Sequence, residues 1–225
     1  MFLDAFRFPD ADAEYAFFMQ KRANCYTSFY PFQTFADRLS RLDFEPITVL
    51  SGSNGSGKTT ALNVIAEKLR LNRRSVFNKT AFFQDYVDKC TDFRACALPP
   101  QSAVITSDDV FDYMLDLRRT NEHIDTSRAE VFEEYFRLRS SGEYTDFRFQ
   151  GMEDYDTLKR LNAARHKTVS KFTRDSLPGN VRTHSNGETA LRIFAELLKD
   201  DGLYLLDEPE NSLSPAKQRE LAAFI

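Results

Sequence analysis

Nine consecutive residues, Gly52-Ser53-Asn54-Gly55-Ser56-Gly57-Lys58-Thr59-Thr60, have the types and order that hold a polyphosphate. The pattern is G-x-x-x-x-G-K-T. Glycines let the backbone curl so that successive N–H groups point at phosphate oxygens. A helix that follows adds the positive end of its dipole. Lys58 is then a mobile cation for the β- and γ-phosphates, Thr59 a hydroxyl ligand for Mg²⁺, and Thr60 a further phosphate contact. Far along the chain, Asp207 and Glu208 follow the apolar run Leu203-Tyr204-Leu205-Leu206. A buried strand of this kind carries its terminal acids to the edge where ligands bind in parallel sheets. There Asp207 can hold Mg²⁺ through water, and Glu208 can orient and polarise an attacking water. A third set, Ser185-Asn186-Gly187-Glu188, precedes an amphipathic pattern. A serine hydroxyl and a glycine backbone at a helix start form another anion cradle. The same residue types also make an ordinary helix cap.

Three kinds of element must position these groups. The run Pro46-Ile47-Thr48-Val49-Leu50 reads as a strand feeding the loop, and Ala61, Leu62, Val64, Ile65 and Leu69 as the helix that the loop opens. Near the N-terminus, Phe2 to Phe8 and Tyr15 to Phe18 read as a hairpin around Asp10-Ala11-Asp12, and Thr34 to Leu42 as a short helix. After Pro99-Pro100, Ala103 to Thr106 is a buried strand. From Val110 to about Ser176 the spacing is helical. Ser127-Arg128-Ala129-Glu130 reads as a capping box opening a second helix there, and Tyr155, Leu158, Leu161, Val169 and Phe172 as a third helix, stopped by Pro178-Gly179. A helix with Ala190, Leu191, Phe194, Leu197 and Leu198 follows, ended by Gly202, then the acidic strand. Ser214 and Pro215 start a last helix. The expected organisation is one α/β domain over 1–225, with N-terminal antiparallel strands, a P-loop sheet and a helical lobe inserted at 108–180.

Bulk properties bound the alternatives. The chain has 225 residues, 42% of them hydrophobic, with 21 phenylalanines and no tryptophan. That supplies a sizeable core for one domain. A net charge of −4 provides no overall basic field for nucleic acid. The N-terminal residues carry an acid and no basic flank, unlike a signal peptide, and no apolar run has membrane-spanning length. Cys25, Cys90 and Cys96 read as buried thiols of a reducing cytoplasm.

The order of the motifs resembles the ABC-type ATPase family: phosphate loop, helical segment, S-x-G-E at a helix start, apolar strand ending Asp-Glu. His184-Ser185-Asn186-Gly187-Glu188 is a departed form of the family's L-S-G-G-Q signature, and Pro209 also matches. Asn211-Ser212-Leu213-Ser214-Pro215 occupies the D-loop place. The resemblance spans roughly Ile47 to the C-terminus. It is closest to the soluble AAA-family or RecF-like (OLD-like) ATPases, which carry D-E-P-E-N-S-L-S-P. It implies ATP and Mg²⁺ as cofactors and an ATP-dependent homodimer, in which Ser185 and Gly187 of the partner subunit complete each nucleotide site. It also implies an unknown effector protein. RecF-like relatives often act on DNA, and the basic residues Lys159, Arg160, Arg165, Lys167, Lys171 and Arg174 are either a phosphate-contacting face or a solvated one. The family often stacks an aromatic on adenine before the loop, where Tyr26, Tyr30, Phe32 and Phe35 stand, although in so aromatic a chain core packing is the favoured reading for each. The alternative readings are the ATP-binding subunit of a transporter and a nucleotide-gated, non-hydrolytic module. Transporter subunits usually follow the signature with Gln-Arg, whereas Thr189-Ala190-Leu191-Arg192 stands here.

Two family features are missing. Ser107-Asp108-Asp109 follows the strand after which the family places a glutamine, and the simple reading of the two aspartates is a helix cap. No histidine lies downstream of Asp207; His123, His166 and His184 are all upstream. The resulting expectation is that the 225 residues are a fragment of a longer protein and hydrolyse ATP weakly.

Overall fold

Aromatic packing builds the part of the molecule that carries both the glycine-rich loop and the paired acids. Phe6, Phe8, Phe17, Phe32, Phe35, Phe82, Phe83 and Tyr86 are buried together with Val64, Ile65, Val104 and Leu205. Phe17 stacks on Phe32 at 4.4 Å, and Phe32 meets Tyr86 edge-on at 4.9 Å. Each such pair contributes about 0.5–1.5 kcal/mol beyond its buried area. The computed structural model describes residues 2–20, 29–140, 147–148, 151–181, 186–211 and 213–225. They divide into two units, Met1–Phe111 with Asn186–Ile225, and Asp112–Ser185.

The first unit opens with strand β1 (Ala5–Arg7), antiparallel to β2 (Arg41–Asp43) on one side and to β3 (Thr91–Phe93) on the other. The sequence pattern predicts antiparallel strands here, but with the wrong partner. Tyr15 to Phe18 lie in helix α1 (Ala11–Gln20). Asp10 sets that outcome: its Oδ1 accepts from the Ala13 amide at 2.8 Å and its carbonyl from the Glu14 amide at 3.1 Å. Glu14 and Phe17, three residues apart, then turn inward, a helical rather than a strand period. The short helix expected over Thr34 to Leu42 is absent. Only one turn closes there, with the Arg38 and Leu39 amides both on the Phe35 carbonyl, before β2 begins.

The strand expected at Ile47 to Leu50 is also absent. The Thr48 hydroxyl accepts from the Glu45 amide and donates to the Glu45 carbonyl, a local turn that competes with a ladder. Ile47 and Val49 are 62% and 82% exposed, so their apolar alternation buries little. Helix α2 (Lys58–Leu69) follows the loop and buries Ala61, Val64, Ile65 and Leu69. Arg70 ends it in the left-handed region, at φ 54°. Helix α3 (Phe83–Lys89) buries Phe83, Tyr86 and Val87. The second sheet pairs β4 (Ala103–Thr106) with β5 (Tyr204–Asp207) in parallel, in a register that sets Thr106 beside Asp207. Asn72 bridges to the other side of β4.

Helix α4 (Ser107–Ser140) runs 34 residues without a break, so Ser127 caps nothing. A reciprocal capping box does form at its start. The Thr106 amide donates to Asp109 Oδ2 at 2.8 Å, and the Asp109 amide to Thr106 Oγ1 at 3.3 Å. In the second unit, a single turn of 3₁₀-helix (Met152–Asp154) leads into α5 (Tyr155–His166), and Thr168 separates that helix from α6 (Val169–Ser176). The third helix of the sequence reading is thus two helices. Tyr135 of α4, Ala164 and Phe172 form a small core, and the Tyr135 hydroxyl donates to the Lys167 carbonyl at 3.1 Å. The chain returns through α7 (Asn186–Leu197), which ends before Gly202, and finishes in α8 (Pro215–Phe224), capped by Ser214. Cys90 is buried and Cys96 exposed, which corrects the expectation of buried thiols for the latter.

Candidate functional site

Gly57 shapes the loop. It caps α2 at φ 97°, a conformation costly for any residue with a side chain. A Cβ there would also lie 3.0 Å from Phe35 Cε1 and 3.2 Å from Thr34 Cγ2. The residues before it form a tight turn, with the Ser56 amide on the Ser53 carbonyl at 3.2 Å. Gly52, Ser53, Asn54, Gly55 and Ser56 are exposed. The Lys58 ammonium donates to the Gly52 and Ser53 carbonyls at 2.8 and 3.1 Å, which keeps the cation at the mouth of the loop. The loop, the helix start and the ammonium are thus adjacent, and together these groups suit a multiply charged anion.

One of the two acids, Asp207, meets the start of the helix that the loop opens. Thr59 Oγ1 donates to Asp207 Oδ1 at 3.1 Å, although the two residues are 148 positions apart. Helix α2 supplies one oxygen from its first turn, and β5 the other from its last residue. Burial raises the Asp207 pKa, opposed by the hydrogen bond from Thr59, with the negative charge of Glu208 adding to the rise and Arg73 opposing it. Arg73 is fixed beside this point. Its Nη1 donates to Asn63 Oδ1, its Nε to the Ser75 carbonyl at 2.9 Å, and its guanidinium lies 4.3 Å from the centre of the Phe77 ring. Burial lowers its pKa, opposed by the charges of Asp109, Asp207 and Glu67. Sequence reasoning missed Arg73 and Asn63. The only signal was Asn63, a polar residue amid the apolar residues of α2.

Glu208 is exposed and takes a left-handed backbone, at φ 50°. Asn211 secures it twice: its amide donates to the Glu208 carbonyl at 3.0 Å and its Nδ2 to Glu208 Oε2 at 2.7 Å. The carboxylate is therefore held at the exit of β5, one residue beyond Asp207. Thr59 and Asp207 are a hard-oxygen pair that suits Mg²⁺, an ion that takes one or two carboxylates plus phosphates and waters.

The remaining predicted residues are placed as follows. The Thr60 hydroxyl accepts from the Tyr30 hydroxyl at 3.1 Å. Gly187 lies in the first turn of α7, where a Cβ would meet Lys217 Cγ of α8 at 3.5 Å. Ser185 falls outside the described residues, as do His184 and Tyr26. Phe32 and Phe35 are buried in the core, in keeping with core packing, and Tyr30 is half-buried beside the loop. Asp109 is committed to the cap of α4 and to a 3.4 Å hydrogen bond from the Ser75 hydroxyl. Among the basic residues, Arg160 pairs with Glu134 at 3.0 Å and Lys167 with Asp175 at 2.7 Å. No described helix is long and apolar enough to cross a membrane.

Residues 41–211, most of the chain, match the family model described as ABC transporter. No curated protein and no solved structure matches the chain.

Proposed function

The chain belongs to the ABC transporter family, P-loop α/β proteins that bind ATP, usually with Mg²⁺, and are generally ATPases, and we propose that it hydrolyses ATP as a nucleotide-dependent homodimer. The observation that carries this reading is the 3.1 Å hydrogen bond from Thr59 to Asp207, which joins the loop and the acid strand at one point. In the proposed complex, the amides of residues 52–58, with Lys58, neutralise the triphosphate, and Thr60 adds a hydroxyl. Thr59 and Asp207 hold Mg²⁺, which when bound stabilises charge developing on the phosphate oxygens. Glu208 orients the attacking water and takes its proton. Ser185 and Gly187 of the partner subunit close the γ-phosphate side, where the loop alone leaves it solvated.

Binding thus glues two copies together, and hydrolysis releases them. The cycle acts on an effector protein or on nucleic acid, in the manner of soluble RecF-like ATPases. The run Asp207-Glu208-Pro209-Glu210-Asn211 favours that branch. The description of the matched family favours a second reading, the ATP-binding subunit of a transporter. A permease that co-purifies with the chain and raises its turnover would select the second.

Glu208→Gln tests the leading proposal. It keeps the hydrogen bond from Asn211 and removes the base. ATP binding should persist, turnover should fall by at least about 100-fold, and a dimer should accumulate in ATP and Mg²⁺ on size-exclusion chromatography. A variant that stays monomeric in saturating nucleotide refutes the dimer.

A further inference from the structure

A hydroxyl that accepts one hydrogen bond keeps its own proton to donate. Thr60 is in that position. Its Oγ1 accepts from the Tyr30 phenol at 3.1 Å, across 30 residues of sequence. Tyr30 is anchored at its other end, where its backbone carbonyl accepts from the Thr80 hydroxyl, and its ring packs 6.1 Å from that of Phe83. The segment beyond it leans on the same loop. Thr34 and Phe35 occupy the space that a side chain at Gly57 would need, and Phe35 is itself wedged against Phe8 at 4.7 Å. Residues 30–35 therefore back the loop at two points, Gly57 and Thr60, one on each side of Lys58 and Thr59.

We propose that Tyr30 is a positioning residue for ATP: its phenol fixes the Thr60 hydroxyl so that the Thr60 proton points at a phosphate oxygen. This rests on the reading of the loop as a triphosphate site. A phenylalanine at position 30 keeps the ring and its packing beside Phe83 and loses the hydroxyl that donates to Thr60. Without it, Thr60 is free to rotate and to spend its proton elsewhere, which weakens an interaction made equally in the ground and transition states. Such a loss raises KM and leaves kcat unchanged.

The test uses the full chain with ATP and Mg²⁺, binding measured by calorimetry and turnover by phosphate release. Tyr30→Phe should weaken binding by about three- to tenfold, the worth of one hydrogen bond, with kcat unaltered and the thermal midpoint close to that of the natural chain. Thr60→Val should weaken binding more. In a Thr60→Val background, Tyr30→Phe should have no further effect, because the phenol acts only through that hydroxyl. Tyr30→Phe with unaltered affinity overturns the inference. So does an equal loss in both backgrounds, which would mean that the phenol contacts the nucleotide itself or supports the fold. Lys58→Ala separates this from the reading beneath it. If Lys58→Ala abolishes binding and Tyr30→Phe does nothing, only the positioning role falls. If the natural chain binds no ATP, both fall.

Discussion

Replacing Gly57 with alanine should cost more than replacing Gly55, and the structure gives the difference. Both residues have positive φ, 97° and 77°. Forcing an L-residue into that region costs about 1–2 kcal/mol at either site. Alanine also restricts the unfolded chain equally in both cases, so that effect cancels. What differs is the space. A Cβ at Gly55 meets nothing within 4 Å, whereas one at Gly57 meets Phe35 at 3.0 Å and Thr34 at 3.2 Å. Phe35 cannot retreat cheaply, because it is buried against Phe8. Overpacking of this kind costs roughly a further 1–3 kcal/mol. Gly57→Ala should therefore be less stable than Gly55→Ala by about 1–3 kcal/mol, or roughly 2–4 °C in thermal midpoint per kcal/mol for a chain of this size. Urea unfolding followed by circular dichroism measures the gap. Two variants of equal stability would mean that residues 34 and 35 do not press on the loop, and the account of the loop's shape would be wrong.

Asp207→Asn should keep the hydrogen bond from Thr59 but remove the charge for the metal. Adding Mg²⁺ should then tighten ATP binding at least about tenfold less than in the natural chain, and an unchanged response to Mg²⁺ in titrations would remove Asp207 from the metal site. Glu14 supplies a pH dependence. Its carboxyl is almost fully buried, with Oε2 accepting from the Gln33 amide at 2.7 Å and Oε1 without a partner. Burial raises its pKa, opposed by the Gln33 hydrogen bond, with the charge of Asp37 adding to the rise. The fold therefore favours the protonated form. That stability is fully present below the ordinary carboxylate pKa and is lost as pH rises through the raised one. Glu14→Gln should lie progressively above the natural chain in thermal midpoint across that rise, and parallel pH profiles would show that Glu14 is not the group responsible.

The family was more legible in the sequence than the scaffold. Fixed spacing identifies the loop residues because positive φ at Gly55 and Gly57, and close neighbours at Gly52 and Gly57, favour glycine there. The partner of Thr59 followed from one assumption, that a run of four apolar residues carries Asp207 to a ligand-binding edge, and the hydrogen bond between them agrees with it. The misread elements are those where local polar contacts override an apolar pattern. Asp10 turns Tyr15 to Phe18 into a helix, and Thr48 closes a turn where alternation suggested a strand. The capping motif at Ser127 sits inside α4, where the helical pattern on both sides is continuous and needs no cap. Arg73 was invisible because its place depends on Asn63, ten residues earlier in α2, together with local contacts to Ser75 and Phe77 that form no recognised motif.

The left-handed backbone at Glu208 places strain at the residue proposed as the base. Glycine would relax that strain by about 1 kcal/mol, but it would lose the hydrogen bond from Asn211 and loosen the unfolded chain, effects of similar size. The opposing effects offset, so the fold itself gives no reason to replace the glutamate.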